Sequence, residues 1–143
     1  MTPRIEVVRL KAGATLPVYA TSGSAGLDLY ACLEDGLSIE PGQSVLIPTG
    51  VAVAIPEGFV GLVRDRSSLA RAGLHTVAGV VDSDYRGEVM VAAYNAGAAA
   101  LPLRQGDRIA QMLALPCPRA EVVEVESLEA TERGSGGFGS TGR

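Results

Sequence analysis

A chain of 143 residues with 47% hydrophobic and 20% charged residues holds enough apolar material for one real core and leaves no room for a second. Its net charge of −4 argues against sequence-independent binding to nucleic acid, and no apolar run approaches the ~18–20 residues that a membrane-spanning helix needs. The start, Met1-Thr-Pro-Arg-Ile-Glu6, has no apolar signal core, so a cytoplasmic protein without membrane or nucleic-acid partners is expected.

Pro and Gly punctuation divides the chain into short strands. Ile5–Arg9 and Leu27–Cys32 come first. Glu40-Pro-Gly42, Pro48-Thr-Gly50 and Pro56-Glu-Gly58 then mark three turns, which separate Ser44–Ile47, Val51–Ile55 and Phe59–Val63. Ser67–Ala72 alone reads as helix, with Gly73 as its stop. Val77–Val81 and Glu88–Tyr94 read as a hairpin turning at Asp82-Ser-Asp84, and Arg108–Leu115 and Glu121–Glu126 close the series. Turn signals roughly every 8–12 residues predict an all-β, jelly-roll-like antiparallel sandwich or barrel with one short helix over residues 1–132. Residues 133–143 read as a flexible Gly-rich C-terminal tail.

Cys32 and Cys117 fit no metal-ligand spacing and each sits among apolar residues, so buried free thiols are expected. With a single histidine, His75, a His-based metal cluster is ruled out. Any metal must be held by oxygen, which points to Mg²⁺.

Five polar clusters interrupt the strand pattern. In Ser24-Ala-Gly-Leu-Asp-Leu29, small residues let the backbone pass closely and Asp28 projects a carboxylate from the start of a strand. In Arg64-Asp-Arg-Ser-Ser-Leu69, Ser67 and Ser68 suit a helix cap, and Arg66 beside them suits a phosphate. Gly79-Val-Val-Asp-Ser-Asp-Tyr-Arg-Gly87 offers a general base beside an aromatic wall for a sugar or base ring. Spacing leaves open whether Asp82 or Asp84 is that base. In Gly106-Asp-Arg-Ile-Ala-Gln111, a regular strand would point Arg108 and Gln111 to opposite faces.

The fifth cluster is the tail, Arg133-Gly-Ser-Gly-Gly-Phe-Gly-Ser-Thr-Gly-Arg143. A Gly/Ser-rich terminus by itself reads as disorder. Here Arg133 supplies a planar cationic fork, Ser135, Ser140 and Thr141 supply hydroxyls, and Phe138 supplies a lone aromatic ring. Together they suit a flap that closes on a nucleotide.

These five segments, in this order, resemble the five motifs of the homotrimeric dUTPases, the deoxyuridine 5′-triphosphate nucleotidohydrolases. The match runs from about residue 4 to the end. The resemblance implies a jelly-roll trimer with sites shared between chains. It also implies Mg²⁺-assisted hydrolysis of dUTP to dUMP and pyrophosphate by water attack on the α-phosphorus. Such an activity limits uracil incorporation into DNA and supplies dUMP for thymidylate synthesis. By motif match Asp82 activates the water, and Asp28 holds the metal through water. Arg66, Ser67, Ser68 and Gln111 contact the phosphates, and Tyr85 packs on the deoxyribose. The hairpin backbone around Gly79 pairs with the uracil edge. Phe138 stacks over uracil while Arg133, Gly134, Ser135, Ser140 and Thr141 close on the phosphates.

Two residues depart from the pattern. Asp65 stands where many members have Pro or Gly, and its charge would repel phosphates unless it turned away, onto Arg64 for example. Thr76 stands where many bacterial members carry an Asn that touches uracil. Two rivals share the fold or the ligand. A dCTP deaminase needs a glutamate beside the base, whereas Val77–Val81 carries no acidic side chain before Asp82. A silent nucleotide sensor needs neither Asp82 nor the tail.

Overall fold

The computed structural model describes residues 2–142; Met1, at the head of the predicted core, and Arg143, at the end of the predicted flap, lie outside the described residues. Eleven strands and one helix follow in order: β1 (Glu6–Arg9), β2 (Val18–Tyr19), β3 (Leu27–Tyr30), β4 (Leu37–Ile39), β5 (Ser44–Ala54), β6 (Phe59–Asp65), α1 (Ser67–Arg71), β7 (Leu74–Thr76), β8 (Val80–Val81), β9 (Glu88–Asn95), β10 (Leu101–Leu103) and β11 (Arg108–Pro116). All pairings are antiparallel. One sheet runs β1-β5-β9-β7, a second β2-β3-β11-β6-β8, and the short pair β10-β4 stands apart. This is the all-β jelly-roll-like sandwich expected of the sequence, with its one short helix.

Alternation builds the core. Along β9, Val89, Val91, Ala93 and Asn95 are buried while the residues between them are less so, as period-two side-chain direction requires. They meet Ile47 and Val53 of β5 and Leu74 of β7, and across the sandwich Leu29, Val63, Ile109 and Met112. Aliphatic chains do this work, in keeping with the absence of Trp.

Three expectations about strands and turns fail, each for a physical reason. Pro48-Thr-Gly50 is no turn. β5 runs through it, and two residues of β9 span four of β5, from Pro48↔Met90 to Ala52↔Glu88. Gly50 takes φ +69° in this bulge, Thr49 is buried and donates its hydroxyl to Val89 O at 2.6 Å, and Pro48 O accepts from Cys32 N–H at 2.8 Å. Pro and Gly signal a turn and a bulge alike.

The predicted hairpin is also absent. β8 pairs with β6, and β9 pairs with β7 and β5, so β8 and β9 belong to different sheets. Val77–Val81 is not one strand: the chain leaves β7, crosses to the other sheet as β8, and returns.

Glu121–Glu126 forms no strand. Val122 is 96% exposed and Leu128 88%, with Val123 and Val125 also exposed. The alternation is that of a strand, but it has no edge to join on its own chain. Cys32 is buried as expected, whereas Cys117 is exposed. Among the described residues no helix is long and apolar enough to cross a membrane.

Candidate active site

β3 and β11 lie side by side in the five-stranded sheet, with Gln111 directly opposite Asp28. The register shifts between Arg108 and Ala110, where two residues of β11 face one step of β3. This bulge buries both Ile109 and Ala110 and overturns the expectation that Arg108 and Gln111 face opposite ways. Both come to the Asp28 side of the sheet.

Asp28 is only 8% exposed. Its Oδ1 lies 3.7 Å from Arg66 Nε and its Oδ2 3.6 Å from Arg108 Nη1. Arg66 also donates through Nη1 to Arg108 O at 3.3 Å. One buried carboxylate thus gathers two guanidinium groups, and the pairing compensates its own desolvation. Gly26 leaves room for Gln111 here, since a Cβ would stand 2.6 Å from Gln111 Oε1 and push that side chain aside. Gln111 Nε2 donates to Asp65 O at 2.9 Å. Sequence reasoning gave Arg108 no site role, because a regular strand would have hidden it.

Arg66 has extended backbone, φ −91° and ψ 135°, and opens α1 without a side-chain cap. Ser67 and Ser68 are therefore not caps. They lie in the first turn, exposed, with hydroxyls that bond to no other group among the described residues and are available to an anion beside Arg66. Asp28, Arg66, Arg108, Ser67, Ser68 and Gln111 make one corner of net positive charge.

Asp65 turns away from that corner, onto β7 and not onto Arg64. Its Oδ1 accepts from Thr76 N–H at 2.7 Å and from the Thr76 hydroxyl at 2.5 Å. Its Oδ2 faces His75 Nδ1 at 3.1 Å. Burial pulls the Asp65 carboxyl upward, but the Thr76 hydroxyl and amide and His75 outweigh it and hold the group below its ordinary value of 3.8. The two departures from the motif pattern are each other's partners.

The segment after β7 carries the second group. Gly79 has φ +97°, and a Cβ there would stand 2.7 Å from Val63 O. Its carbonyl accepts from Val63 N–H at 2.7 Å. Asp82 and Asp84 are exposed, on the wall of a cavity of about 920 Å³ that Arg86, Cys117 and Arg119 also line. Arg86 pairs with neither, donating instead to Ser83 O and Tyr85 O. The Tyr85 hydroxyl donates to Glu88 O at 2.8 Å, and the ring passes over Gly87, where a Cβ would stand 2.4 Å from the phenol oxygen. The ring is thus fixed at its rim while 43% of the residue stays exposed, as a face awaiting a flat partner would.

The tail stays apart from both groups. Arg133 Nε donates to Gly136 O at 2.9 Å and Gly134 N–H to Thr131 Oγ1 at 3.1 Å. Ser140 N–H donates to Gly137 O, and Phe138 is fully exposed at φ +50°. Among the described residues, no hydrogen bond or salt bridge joins Ser135, Thr141 or the rest of the tail to the core, or Asp82 and Tyr85 to the Asp28 corner.

No group of three or more His, Cys, Asp and Glu is arranged to hold a metal among the described residues. A single carboxylate already paired with two arginines does not make a protein cage. It fits a Mg²⁺ that arrives on phosphate oxygens, keeps its waters and meets the chain through them.

The dUTPase family model matches residues 12–142. The chain is 49% identical over 149 aligned positions to a deoxyuridine 5′-triphosphate nucleotidohydrolase of Desulfotalea psychrophila, covering 99% of both. It is 48% identical over 132 residues to one of Acinetobacter baumannii, covering 90% of this chain and 88% of that one. Among solved structures, a mutant dUTPase of Staphylococcus bacteriophage 80alpha with dUpNHpp superposes with TM-score 0.90 at 27% identity, over 99% of this chain and 100% of that chain. A mutant dUTPase from phage phi11 of S. aureus, with a coordinated structural Mg(II) ion, gives TM-score 0.80 at 25% identity over 89% of this chain and 99% of that one. Matched along nearly its whole length, with the cationic corner built from the motif residues, this chain belongs to the dUTPase family.

Proposed function

We propose that this protein hydrolyses dUTP to dUMP and pyrophosphate, with the water attacking the α-phosphorus. The observation that carries the mechanism is the corner in which buried Asp28 holds Arg66 and Arg108 beside Gln111, Ser67 and Ser68. Phosphoryl transfer asks mainly for positioning and charge neutralisation, and this corner supplies both. Arg66, Ser67, Ser68 and Gln111 take the phosphate chain. A Mg²⁺ entering with the triphosphate would supply further charge neutralisation, and Asp28 would hold it through water.

Asp82 takes the proton of the attacking water. The new P–O bond forms on the α-phosphorus as the bond to the bridging oxygen breaks, and pyrophosphate leaves with that oxygen. Tyr85 packs on the deoxyribose where a 2′-hydroxyl would collide. The Gly79 carbonyl already accepts from Val63 N–H, and the Gly79 N–H, with no such partner among the described residues, faces the uracil edge in this reading.

The working unit is a homotrimer whose sites are shared between chains. Two features support this. Among the described residues, the three groups of motif residues have no hydrogen bonds or salt bridges to one another within one chain, and the apolar arm at Val122–Leu128 stays exposed on it. Residues 133–143 act as the flap: Phe138 stacks on uracil, and Arg133, Gly134, Ser135, Ser140 and Thr141 close on phosphate. Closure excludes water other than the nucleophile. A free nucleotide substrate goes with a cytoplasmic location.

Pyrophosphate release from dUTP, dCTP, dTTP and UTP, measured side by side with Mg²⁺, tests the reading. Turnover is expected with dUTP and at least about a hundredfold less with the others. Ammonia from dCTP, or binding of dUTP without turnover, would overturn it.

A further inference from the structure

β6 and β7 belong to different sheets, yet Asp65 at the end of one bonds to Thr76 at the end of the other. Both donors of Thr76, amide and hydroxyl, converge on a single carboxylate oxygen, and hydrogen bonds to an ionised acceptor are stronger than neutral ones. The same residue's carbonyl accepts from Gln111 of the phosphate corner. Asp65 therefore joins three elements: β6, which leads into Arg66; β11, through Gln111; and β7, which leads into the segment before Asp82.

That segment needs holding. Ala78 has φ +56°, a left-handed conformation that an alanine adopts only when its surroundings impose it, and Gly79 follows at φ +97°. It is pinned beyond Thr76 by Val77 N–H donating to Ala92 O at 2.9 Å and by Gly79 O accepting from Val63. The Asp65 bonds are the pin at its entry. They also take up the one Thr76 hydroxyl proton, so the Thr76 side chain keeps no donor for a ligand.

We infer that Asp65 is a positioning residue for base selection. Its carboxylate fixes the entry of the strained Val77–Gly79 segment, so that the backbone of this segment discriminates between bases without help from the residue 76 side chain. The inference rests on dUTP being the substrate.

The test compares full-length Asp65→Ala, Asp65→Asn and Thr76→Val with the unmutated protein, measuring kcat and KM for dUTP and for dCTP together with thermal melts. Asp65→Ala is expected to raise KM for dUTP about tenfold and to lower the dUTP/dCTP ratio of kcat/KM about tenfold, with kcat for dUTP within about threefold. Asp65→Asn keeps one acceptor oxygen and falls between. Thr76→Val loses only the hydroxyl bond, shifts the ratio less, and adds little to Asp65→Ala when combined, since both act on one contact. If Asp65→Ala does not fold, the other two variants carry the test. Lower melting temperature or kcat with an unchanged dUTP/dCTP ratio would overturn the inference and leave Asp65 a scaffold residue. Failure of the unmutated protein to hydrolyse dUTP would instead overturn the substrate assignment, a separate outcome.

Discussion

Asp28 of β3 and Arg66, just past the end of β6, face each other at 3.7 Å across β11. Because Arg108 occupies the other carboxylate oxygen, one anion sets the separation of two cations. Asp28→Asn keeps the shape and removes the charge that both arginines answer. It is expected to lower kcat/KM for dUTP by at least about tenfold and to lower the melting temperature only modestly, because Arg66 and Arg108 stay partly exposed to solvent when their anion is lost. Steady-state kinetics and thermal melts check this. A wild-type kcat/KM would mean that other contacts place the arginines.

Tyr85 should govern discrimination against UTP. Tyr85→Ala is expected to raise the UTP rate relative to dUTP. Gly87→Ala should do the same while leaving Tyr85 in place in the sequence, because its methyl would stand 2.4 Å from the phenol oxygen and displace the ring. Agreement of the two variants would identify ring position as the cause. An unchanged dUTP/UTP ratio in both would show that another group senses the sugar.

Subunit mixing tests whether sites are shared. Asp82→Asn removes a positioned base, typically a ~10²–10⁴-fold loss, and deletion of residues 133–143 removes the flap. Each variant alone is expected to be nearly inactive. Refolded together in equal amounts, they should regain activity in about a quarter of sites, by threefold symmetry and independent choice at two positions. Verified mixed trimers at background activity would place both elements on one chain.

Acid should weaken the Asp65 contact in a defined direction. Its folded carboxyl titrates below the ordinary value of 3.8, so the unfolded chain binds this proton more readily. The contribution to stability is then complete above the unfolded value and is lost as pH falls through the folded one. The melting-temperature gap between wild type and Asp65→Asn is expected to be widest near neutral pH and to narrow below about pH 4. A gap that holds steady well below that range would remove the ionised carboxylate from the account.

Contiguous apolar runs made β3, β6, β9 and β11 legible, because several β-branched or aliphatic residues in a row between turn signals have few other places to go. The strands that escaped were β2, β4, β7 and β10, of two or three residues each. Stretches so short are defined by the neighbour they pair with and carry no period of their own. Sheet membership was equally hidden: nothing in Val77–Val81 says that Val80 pairs with Leu62 and not with a residue of β9. At the site, residue types at fixed spacing pointed to Asp28, Arg66 and Gln111. Arg108 was missed because a bulge at Ile109 reverses parity, and a bulge leaves no mark in composition. Asp65 and Thr76 stood out only as oddities, since their bond joins residues eleven apart on different sheets.

The bare arm beyond β11 ties chemistry to abundance. Val122, Val123, Val125 and Leu128 lie in water on a lone chain, so in the proposed trimer leaving a neighbour would cost the molecule apolar cover as well as its borrowed site groups. Dilution would then act as a denaturant and an inhibitor at once: specific activity and melting point should fall together as the enzyme is thinned, and bound nucleotide should delay both. A cell that lowered the amount of this protein would lose activity faster than it lost chains.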